Sequence, residues 1–146
     1  MKIIEPKSAE EFREYYTLRY VVLRKPWGQP VGSERDGDEE SSIHRMIIDE
    51  KSEDTLAVGR LQFNSTNEAQ IRYMAVAEKF QGQGIGSQII SVLENIAQEE
   101  GAQKMILQAR GYALQFYESN GYTIVEKTHL LFGQIQHWLM AKDLEH

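Results

Sequence analysis

Residues 80–87, which read FQGQGIGS, limit the possible folds of this chain more than any other stretch. They hold three glycines two positions apart, between an apolar strand pattern at residues 69–76 and an amphipathic helix pattern at residues 84–100. Glycine weakens regular structure, because it loses more backbone entropy on folding than any other residue. One glycine satisfies a turn, so three at a strand-to-helix junction indicate a backbone that approaches a ligand closely.

Two common nucleotide-binding loops do not fit this stretch. A Walker A loop needs a lysine that is absent here, and a dinucleotide fingerprint needs a third glycine where Ser87 stands. Backbone amides at a helix N-terminus favour a diphosphate without either motif. The predicted pyrophosphate cradle consists of Gln81, Gly82, Gln83, Gly84, Ile85, Gly86 and Ser87. A glycine-rich turn without a ligand is the alternative.

The order of patterns along the chain predicts an α/β domain with a mixed sheet. Ser8 and Glu11 form a capping box that starts the first helix, and Pro26 ends it near residues 24–25. The predicted strands are residues 2–5, 43–50, 55–64, 69–76, 104–109, 122–127 and 135–142, and the later helices are residues 84–100 and 112–119. Turn residues between the second, third and fourth strands indicate an antiparallel meander.

Bulk composition excludes several classes of function. The chain has 146 residues, a length typical of one domain, and no cysteine, so disulfides and cysteine nucleophiles are excluded. Its four histidines lack ligand spacing, so we expect no metal site. A net charge of −6 disfavours a nucleic-acid surface. Without a signal peptide or a membrane-length apolar run, we expect a cytoplasmic protein that has no membrane partner.

Two charged segments near the first helix have open interpretations. The run SERDGDEE, residues 33–40, is typical of a solvated loop, but it could also attract a cationic amine. Arg19 and Arg24 have the ordinary interpretation of surface arginines. Long loops inside compact domains are often functional, so Trp27 and the loop that ends at Ser42 are candidates for an acceptor-binding wall.

Residues 81–86, QGQGIG, resemble the Gln/Arg-x-x-Gly-x-Gly/Ala signature of the Gcn5-related N-acetyltransferase (GNAT) superfamily. The preceding IRYMAV is similar to the fourth strand of that family, and ALQFYESNGY is similar to its fourth helix and the following turn. The order of elements agrees over residues 1–143, which we predict to be one acetyltransferase domain. Residues 144–146, LEH, look like a tag remnant. The segment LRYVVLRKPWG and a late histidine also resemble the ElaA-like branch.

The resemblance implies a three-layer fold with a mixed, mostly antiparallel sheet and a central splayed pair of parallel strands, flanked by helices. Acetyl-CoA, the implied co-substrate, would lie between strands 69–76 and 104–109. The backbone of Met74, Ala75 and Val76 would pair with its pantetheine arm, as an added strand pairs with a sheet edge. The glycine loop would hold its pyrophosphate, and Gln108 and Phe116 would line the pocket.

The resemblance also implies catalytic roles. Tyr117 matches the tyrosine that serves as general acid in many members, and the alternative is a tyrosine of the core. His137, on the last strand, has the chemistry of a general base, and the alternative is a packed or surface histidine. Some members place a glutamate base on the fourth strand, but Glu68 and Arg72 here depart from that pattern.

The implied function is transfer of an acetyl group to a primary amine, borne by a small molecule or a peptide, through direct attack. A non-catalytic acyl-CoA-binding or sensing module on the same fold is the main alternative, because a fold does not determine a function. A nucleotide-binding domain is discouraged by the missing lysine and glycine. The expected assembly is a monomer or a homodimer, with Phe132 and Trp138 as candidates for the dimer edge.

Overall fold

The computed structural model describes residues 1–144. Its seven strands are β1 (Lys2–Ile4), β2 (Ile43–Ile48), β3 (Thr55–Phe63), β4 (Glu68–Val76), β5 (Lys104–Arg110), β6 (Thr123–Leu131) and β7 (Ile135–Asp143). Its α-helices are α1 (Ala9–Leu23), α2 (Ile85–Glu99) and α3 (Leu114–Ser119), and short 3₁₀ turns cover Lys25–Trp27, Glu78–Phe80 and Gly111–Ala113. The element order is the predicted one.

The seven strands form one sheet in the order β1-β2-β3-β4-β5-β7-β6. The pairs β1–β2, β2–β3, β3–β4, β5–β7 and β6–β7 are antiparallel, and β4–β5 is parallel. The predicted meander and the predicted mixed, mostly antiparallel sheet are therefore confirmed. The crossover from β4 to β5 runs through the glycine loop and α2.

The parallel pair separates part-way along its length. β4 and β5 pair from Glu68 opposite Lys104 to Ile71 opposite Leu107, and no pair follows toward their carboxyl ends. β4 also carries a bulge, because Val58 of β3 faces Ala75 whereas Arg60 faces Arg72. Tyr73 lies in this bulge with a positive φ of 53°. The strands therefore form the splayed pair that the resemblance implied, with unpaired backbone on both sides of the opening.

Apolar side chains pack on both faces of the sheet, which gives three layers. One cluster joins α2 to the sheet, with Ile89, Leu93 and Leu107 nearly fully buried. The other joins α1 to the opposite face, with Tyr15 and Met46 at its centre. The two clusters hold the separated strands between helices that lie on opposite faces.

The start of α1 follows from a local capping signal, whereas the end of β6 differs from the predicted one. The predicted capping box is present: the Ser8 hydroxyl accepts from the Glu11 amide, and the Glu11 carboxylate accepts from the Ser8 amide. β6 continues to Leu131, past its predicted end at residue 127, and two register shifts against β7 interrupt its alternation.

The chain end that was predicted to be a tag remnant is only partly described. Leu144 is buried in the core, and its amide bonds to the carbonyl oxygen of Gln103. Residues 145–146 lie outside the described residues. Within residues 1–144, no helix is long and apolar enough to cross a membrane. That same part of the chain holds no group of His, Asp and Glu side chains that could bind a metal ion.

Candidate active site

A cleft of about 610 Å³ opens where β4 and β5 separate. It is bounded by the end of α1, the glycine loop, α3 and the β6–β7 hairpin. The predicted site residues that line it are Met74, Ala75, Val76, Gln81, Gly82, Gly84, Gly86, Ser87, Gln108, Phe116, Tyr117 and His137. Gln83 and Ile85 do not line the cleft: Gln83 is exposed, and Ile85 packs in the core beneath α2.

The glycine loop presents backbone donors at the mouth of the cleft. Within the described structure, the amides of residues 82–87 donate to no protein acceptor, and the first bond into the helix runs from Gln88 to the Gly84 carbonyl oxygen. Gly82 and Gly84 have φ of 79° and 82°, values that L residues with side chains rarely adopt. No side chain caps the helix. These free amides, together with the helix dipole, suit an anion such as a diphosphate.

Gly86 has a different structural reason to be glycine. A Cβ atom there would lie 2.9 Å from Cζ of Phe116 and 3.3 Å from Cε of Met74. Both side chains line the cleft, so the missing side chain lets α2 approach the wall that carries them. The third glycine therefore shapes the cleft through packing, in addition to its place in the loop.

The cleft passes from one face of the sheet to the other. Met74, Phe116 and Tyr117 lie on the face that carries α2 and α3, where all three pack against the α2 cluster. Arg110 lies on the α1 face, because its Nη2 donates to the carbonyl oxygen of Leu23. His137 is the register partner of Arg110, so it shares that face.

Tyr117 lines the α3 side of the cleft. Its hydroxyl is 3.9 Å from Sδ of Met74, and its ring makes edge contacts with Phe116 and Tyr122. Burial raises the pKa of Tyr117 to about 12, so the phenol is protonated at neutral pH. The hydroxyl can therefore donate a hydrogen bond to an atom that enters between the strands.

His137 is buried, and its environment favours the neutral imidazole. Burial lowers its pKa, a hydrogen bond with the Ile135 carbonyl opposes this, and the positive charges of Arg110 and Arg24 add to the lowering. Nδ1 lies 3.0 Å from that carbonyl oxygen, which can only accept, so Nδ1 carries the proton and Nε2 is the basic nitrogen. The ring stacks on His129 at 4.3 Å.

Three residues that line the α1 side were missed or misjudged by sequence reasoning. Arg24, read as a surface arginine, is half-buried in the cleft wall, and Arg110 and His129 were not singled out. The register of β5 against β7 could have indicated Arg110, because it pairs directly with His137. His129 lies within the register shift of β6 between Lys127 and Leu130, so strand alternation does not predict which way it points.

The acidic run 33–40 is largely folded back onto buried arginines. Arg19 and Arg60 are fully buried, and the carboxylate of Glu39 lies 2.9 Å and 2.8 Å from their guanidinium groups. Asp36 binds Arg60 at 2.7 Å. Partial burial would raise the pKa of Asp36, but hydrogen bonds from Arg60 and from the Asp38 amide outweigh this and hold it at about 2.

These contacts correct two sequence interpretations. Arg19 is not a surface arginine, and the run is not simply solvated, because Glu34 is 2% exposed and binds the Gly32 amide. A charge run looks the same in sequence whether water or a distant arginine satisfies it, and Arg60 comes from β3. Of this run, no side chain lines the cleft.

The glutamate position that some family members use as a base is not part of this cleft. Glu68 starts β4 at the paired end, where its carboxylate accepts from Asn64. Arg72 does line the cleft, and its guanidinium is 3.6 Å from the carboxylate of Asp36. His44, in β2, is buried outside this cleft and bonds to the Tyr15 hydroxyl.

The family model described as "Acetyltransferase (GNAT) family" matches residues 7–122. This chain belongs to the GNAT acetyltransferase family. The uncharacterised N-acetyltransferase YjcF of Bacillus subtilis (strain 168) is 28% identical over 143 residues, which are 98% of this chain and 100% of YjcF. The GNAT signature in residues 81–86 is thus part of a match that extends over most of the chain.

Solved GNAT structures share the fold at lower identity. The crystal structure of Escherichia coli ElaA superimposes with a TM-score of 0.79 at 20% identity, over 97% of each chain. An aminoglycoside 6′-N-acetyltransferase complexed with coenzyme A superimposes with a TM-score of 0.82 at 16% identity, over 100% of this chain and 98% of that one. ElaA is therefore similar in fold, as the segment LRYVVLRKPWG suggested.

Proposed function

We propose that this GNAT domain is an N-acetyltransferase that moves the acetyl group of acetyl-CoA directly to a primary amine. The observation that carries the proposal is the arrangement of the cleft. Free amides of the glycine loop stand at its mouth, Tyr117 lies on one face of the separated strands, and His137 lies on the other. A donor and an acceptor can therefore enter from opposite faces and meet between the strands.

The unpaired parts of β4 and the glycine loop suit the donor substrate. Beyond Ile71, β4 has no partner on the β5 side, so its backbone near Met74 is available to an extended pantetheine arm, whereas the Val76 carbonyl oxygen accepts from Nε2 of Gln81 at 3.0 Å. The free amides of residues 82–87 suit the pyrophosphate of coenzyme A. Acetyl-CoA is the substrate that matches both features, and the family's coenzyme A complexes support this assignment.

His137 has the environment of the base. A free alkylamine has a pKa near about 10.4, so it must lose a proton before its lone pair attacks. The lowered pKa of His137 leaves Nε2 unprotonated at neutral pH, ready to accept that proton directly or through water. The new nitrogen–carbon bond forms as the carbon–sulfur bond breaks.

Tyr117 has the environment of a donor to the leaving sulfur. A thiol has an ordinary pKa of about 8.5, so a phenol whose pKa is raised to about 12 is the weaker acid. A hydrogen bond from the Tyr117 hydroxyl to the departing thiolate is therefore favoured over complete proton transfer. This contact strengthens as negative charge develops on sulfur, which lowers the barrier.

Release of free coenzyme A tests the proposal. We expect acetyl-CoA to bind in calorimetry, and we expect a panel of primary amines to include acceptors that raise the rate of thiol release. Acetyl-CoA binding without amine-dependent thiol release would instead favour a non-catalytic acyl-CoA-binding module. An unchanged heat of mixing with acetyl-CoA would contradict both.

A further inference from the structure

The α1 side of the cleft carries positive charge without matching carboxylates. Among the described residues that line the cleft, the charged side chains are Arg24, Arg72 and Arg110, and no Asp or Glu lines it. Arg72 shares Asp36 with Arg60, which holds that carboxylate more closely. The remaining two arginines have no carboxylate within ion-pair distance in the described part of the chain.

Arg24 and Arg110 converge on one point. Nη1 of Arg24 and Nη2 of Arg110 both donate to the carbonyl oxygen of Leu23, at 3.1 Å and 2.9 Å. The other contacts of Arg110 are the hydroxyl of Tyr112 at 3.2 Å and the ring of Trp27 at 4.7 Å, and neither bears a negative charge. Two like charges are thus held side by side by neutral partners.

Nearby acids do not neutralise this pair. Glu34 acts electrostatically on Arg24, but its carboxylate is occupied by the Gly32 amide and by Arg35. Arg110 is only 9% exposed, and burial lowers the pKa of Arg24, which Arg110 and Arg19 lower further against the opposing effects of Tyr73 and Glu34. Burying guanidinium groups without counter-charges is costly, unless an anion completes the site when it binds.

The pair lies next to the proposed base and away from the proposed donor loop. Arg110 faces His137 across the β5–β7 register, whereas the glycine loop and Tyr117 belong to the α2–α3 face. A guanidinium pair at this place would contact a group of the acceptor rather than the pyrophosphate of coenzyme A. Guanidinium groups bind carboxylates and phosphates through paired, charge-assisted hydrogen bonds.

We infer that the acceptor of this enzyme is an amine that also carries an oxyanion, a carboxylate or a phosphate, which binds Arg24 and Arg110 while the amine faces His137. The inference rests on the proposed acetyltransferase function and specifies its substrate class. It opposes the idea that the acidic run 33–40 recruits a cationic amine, because that run is engaged by Arg19 and Arg60 and does not line the cleft.

Matched acceptor pairs test the inference. With acetyl-CoA saturating, kcat/KM is measured for β-alanine against ethylamine, γ-aminobutyrate against propylamine, and O-phosphoethanolamine against ethanolamine. We expect the oxyanion-bearing member of at least one pair to be preferred by tenfold or more, which corresponds to about 1.4 kcal/mol. The carboxylate and phosphate pairs distinguish the two anions. A preference for the neutral amines, or for the diamine putrescine, would overturn the inference and leave the acetyltransferase proposal standing.

Variants assign the preference to the arginines. Arg110→Gln and Arg24→Gln should each raise KM for the oxyanion-bearing amine by about tenfold or more and leave KM for acetyl-CoA within about twofold. Arg110→Lys, which keeps the charge, should raise this KM less than Arg110→Gln does. Arg13→Gln is the matched control, because Arg13 is exposed on α1 and outside the cleft. Loss of acetyl-CoA affinity in the cleft variants would contradict an acceptor site.

Two further experiments test whether the anion belongs to the donor and whether it binds without acetyl transfer. If succinyl-CoA with a neutral amine is used tenfold better than acetyl-CoA, the anion belongs to the donor and the inference is wrong. If no amine is acetylated, β-alanine and O-phosphoethanolamine are titrated calorimetrically into the protein saturated with coenzyme A. Binding that is lost in Arg110→Gln would support the anion site although the acetyltransferase proposal had failed. No binding of either compound would overturn the anion site.

Discussion

At the scale of single residues, the two faces of the cleft give Tyr117 and His137 different electrostatic environments. On one face, burial holds Tyr117 protonated with a pKa of about 12. On the other, burial and neighbouring positive charge keep the His137 imidazole neutral. One side chain is thus suited to donate a hydrogen bond and the other to accept a proton. Environments that push two titratable groups in opposite directions are typical of acid–base pairs.

Replacing Tyr117 by Phe removes the hydroxyl and keeps the ring that packs against Phe116 and Tyr122. We expect kcat to fall by about 10²-fold, because the hydrogen bond to the leaving sulfur is made chiefly in the transition state. The Kd of acetyl-CoA, measured by calorimetry, should change by less than about threefold. Equal turnover in the two proteins would refute the role of the hydroxyl.

Replacing His137 by Gln should remove the acidic limb of the pH–rate profile. In the wild-type protein, kcat/KM should rise with pH through a pKa below the ordinary histidine value of about 6.5, because the lowered pKa of His137 keeps its imidazole neutral down to a lower pH. His129→Gln is the matched control, since His129 stacks on His137 in the same cleft. If the limb persists in the His137 variant and disappears in the control, His129 is the base.

At the scale of elements, the separated strands and the glycine loop border the same cleft. α2 starts at Gly84 without a side-chain cap, so its N-terminal amides stay free, and Gly86 lets that helix approach the cleft wall. The loop amides are therefore free to donate hydrogen bonds to a ligand rather than to groups of the protein itself. Helix N-termini left in this state are common anion sites.

Substitution of Gly84 by Ala should weaken coenzyme A binding by about tenfold or more, because the methyl group disfavours the positive φ with which Gly84 presents the loop amides. Gly101→Ala is a matched control at the other end of α2: its φ is also positive, and a Cβ there would likewise meet open space. The free energy of unfolding should decrease by about 1 kcal/mol in both variants. Unchanged coenzyme A affinity in Gly84→Ala, measured by calorimetry, would contradict the cradle.

At the scale of the whole molecule, stability should depend on pH through two buried histidines. Burial lowers the pKa of both His44 and His137, so the unfolded chain binds more protons than the folded one as the pH falls from about 6.5 toward the lowered values. The free energy of unfolding is highest above that pH and decreases through this window, by at most about 1.4 kcal/mol per pH unit for each histidine. Asp36 adds a second loss between pH values of about 4 and 2.

Chemical denaturation at a series of pH values measures this dependence. The double variant His44→Gln/His137→Gln should show a flatter profile than the wild type between pH values of about 7 and 5. The control replacement Arg13→Gln, at an exposed position of α1, should leave the slope unchanged. A wild-type stability that rises as the pH falls through this window would contradict the assignment.

Sequence analysis predicted correctly the features that residues within one short segment determine. The capping box at Ser8, the glycine loop and the ALQFYESNGY segment depend on neighbours in the chain, and each was found. Sequence analysis failed where the contacts of a side chain depend on residues far away in the sequence. The burial of Arg19 depends on Glu39, the pairing of Asp36 depends on Arg60 of β3, and the direction of His129 depends on a bulge in β6. No local pattern reports those contacts.

The central claim, direct transfer from acetyl-CoA to an amine in this cleft, is tested most directly by a single-turnover experiment with labelled acetyl-CoA and excess protein. Intact-mass spectrometry follows the protein, and product analysis follows the label. We expect an unmodified protein in the absence of amine, and label in an N-acetyl product once amine is added. Label that becomes attached to the protein before the amine is present, or that never leaves coenzyme A, would contradict it.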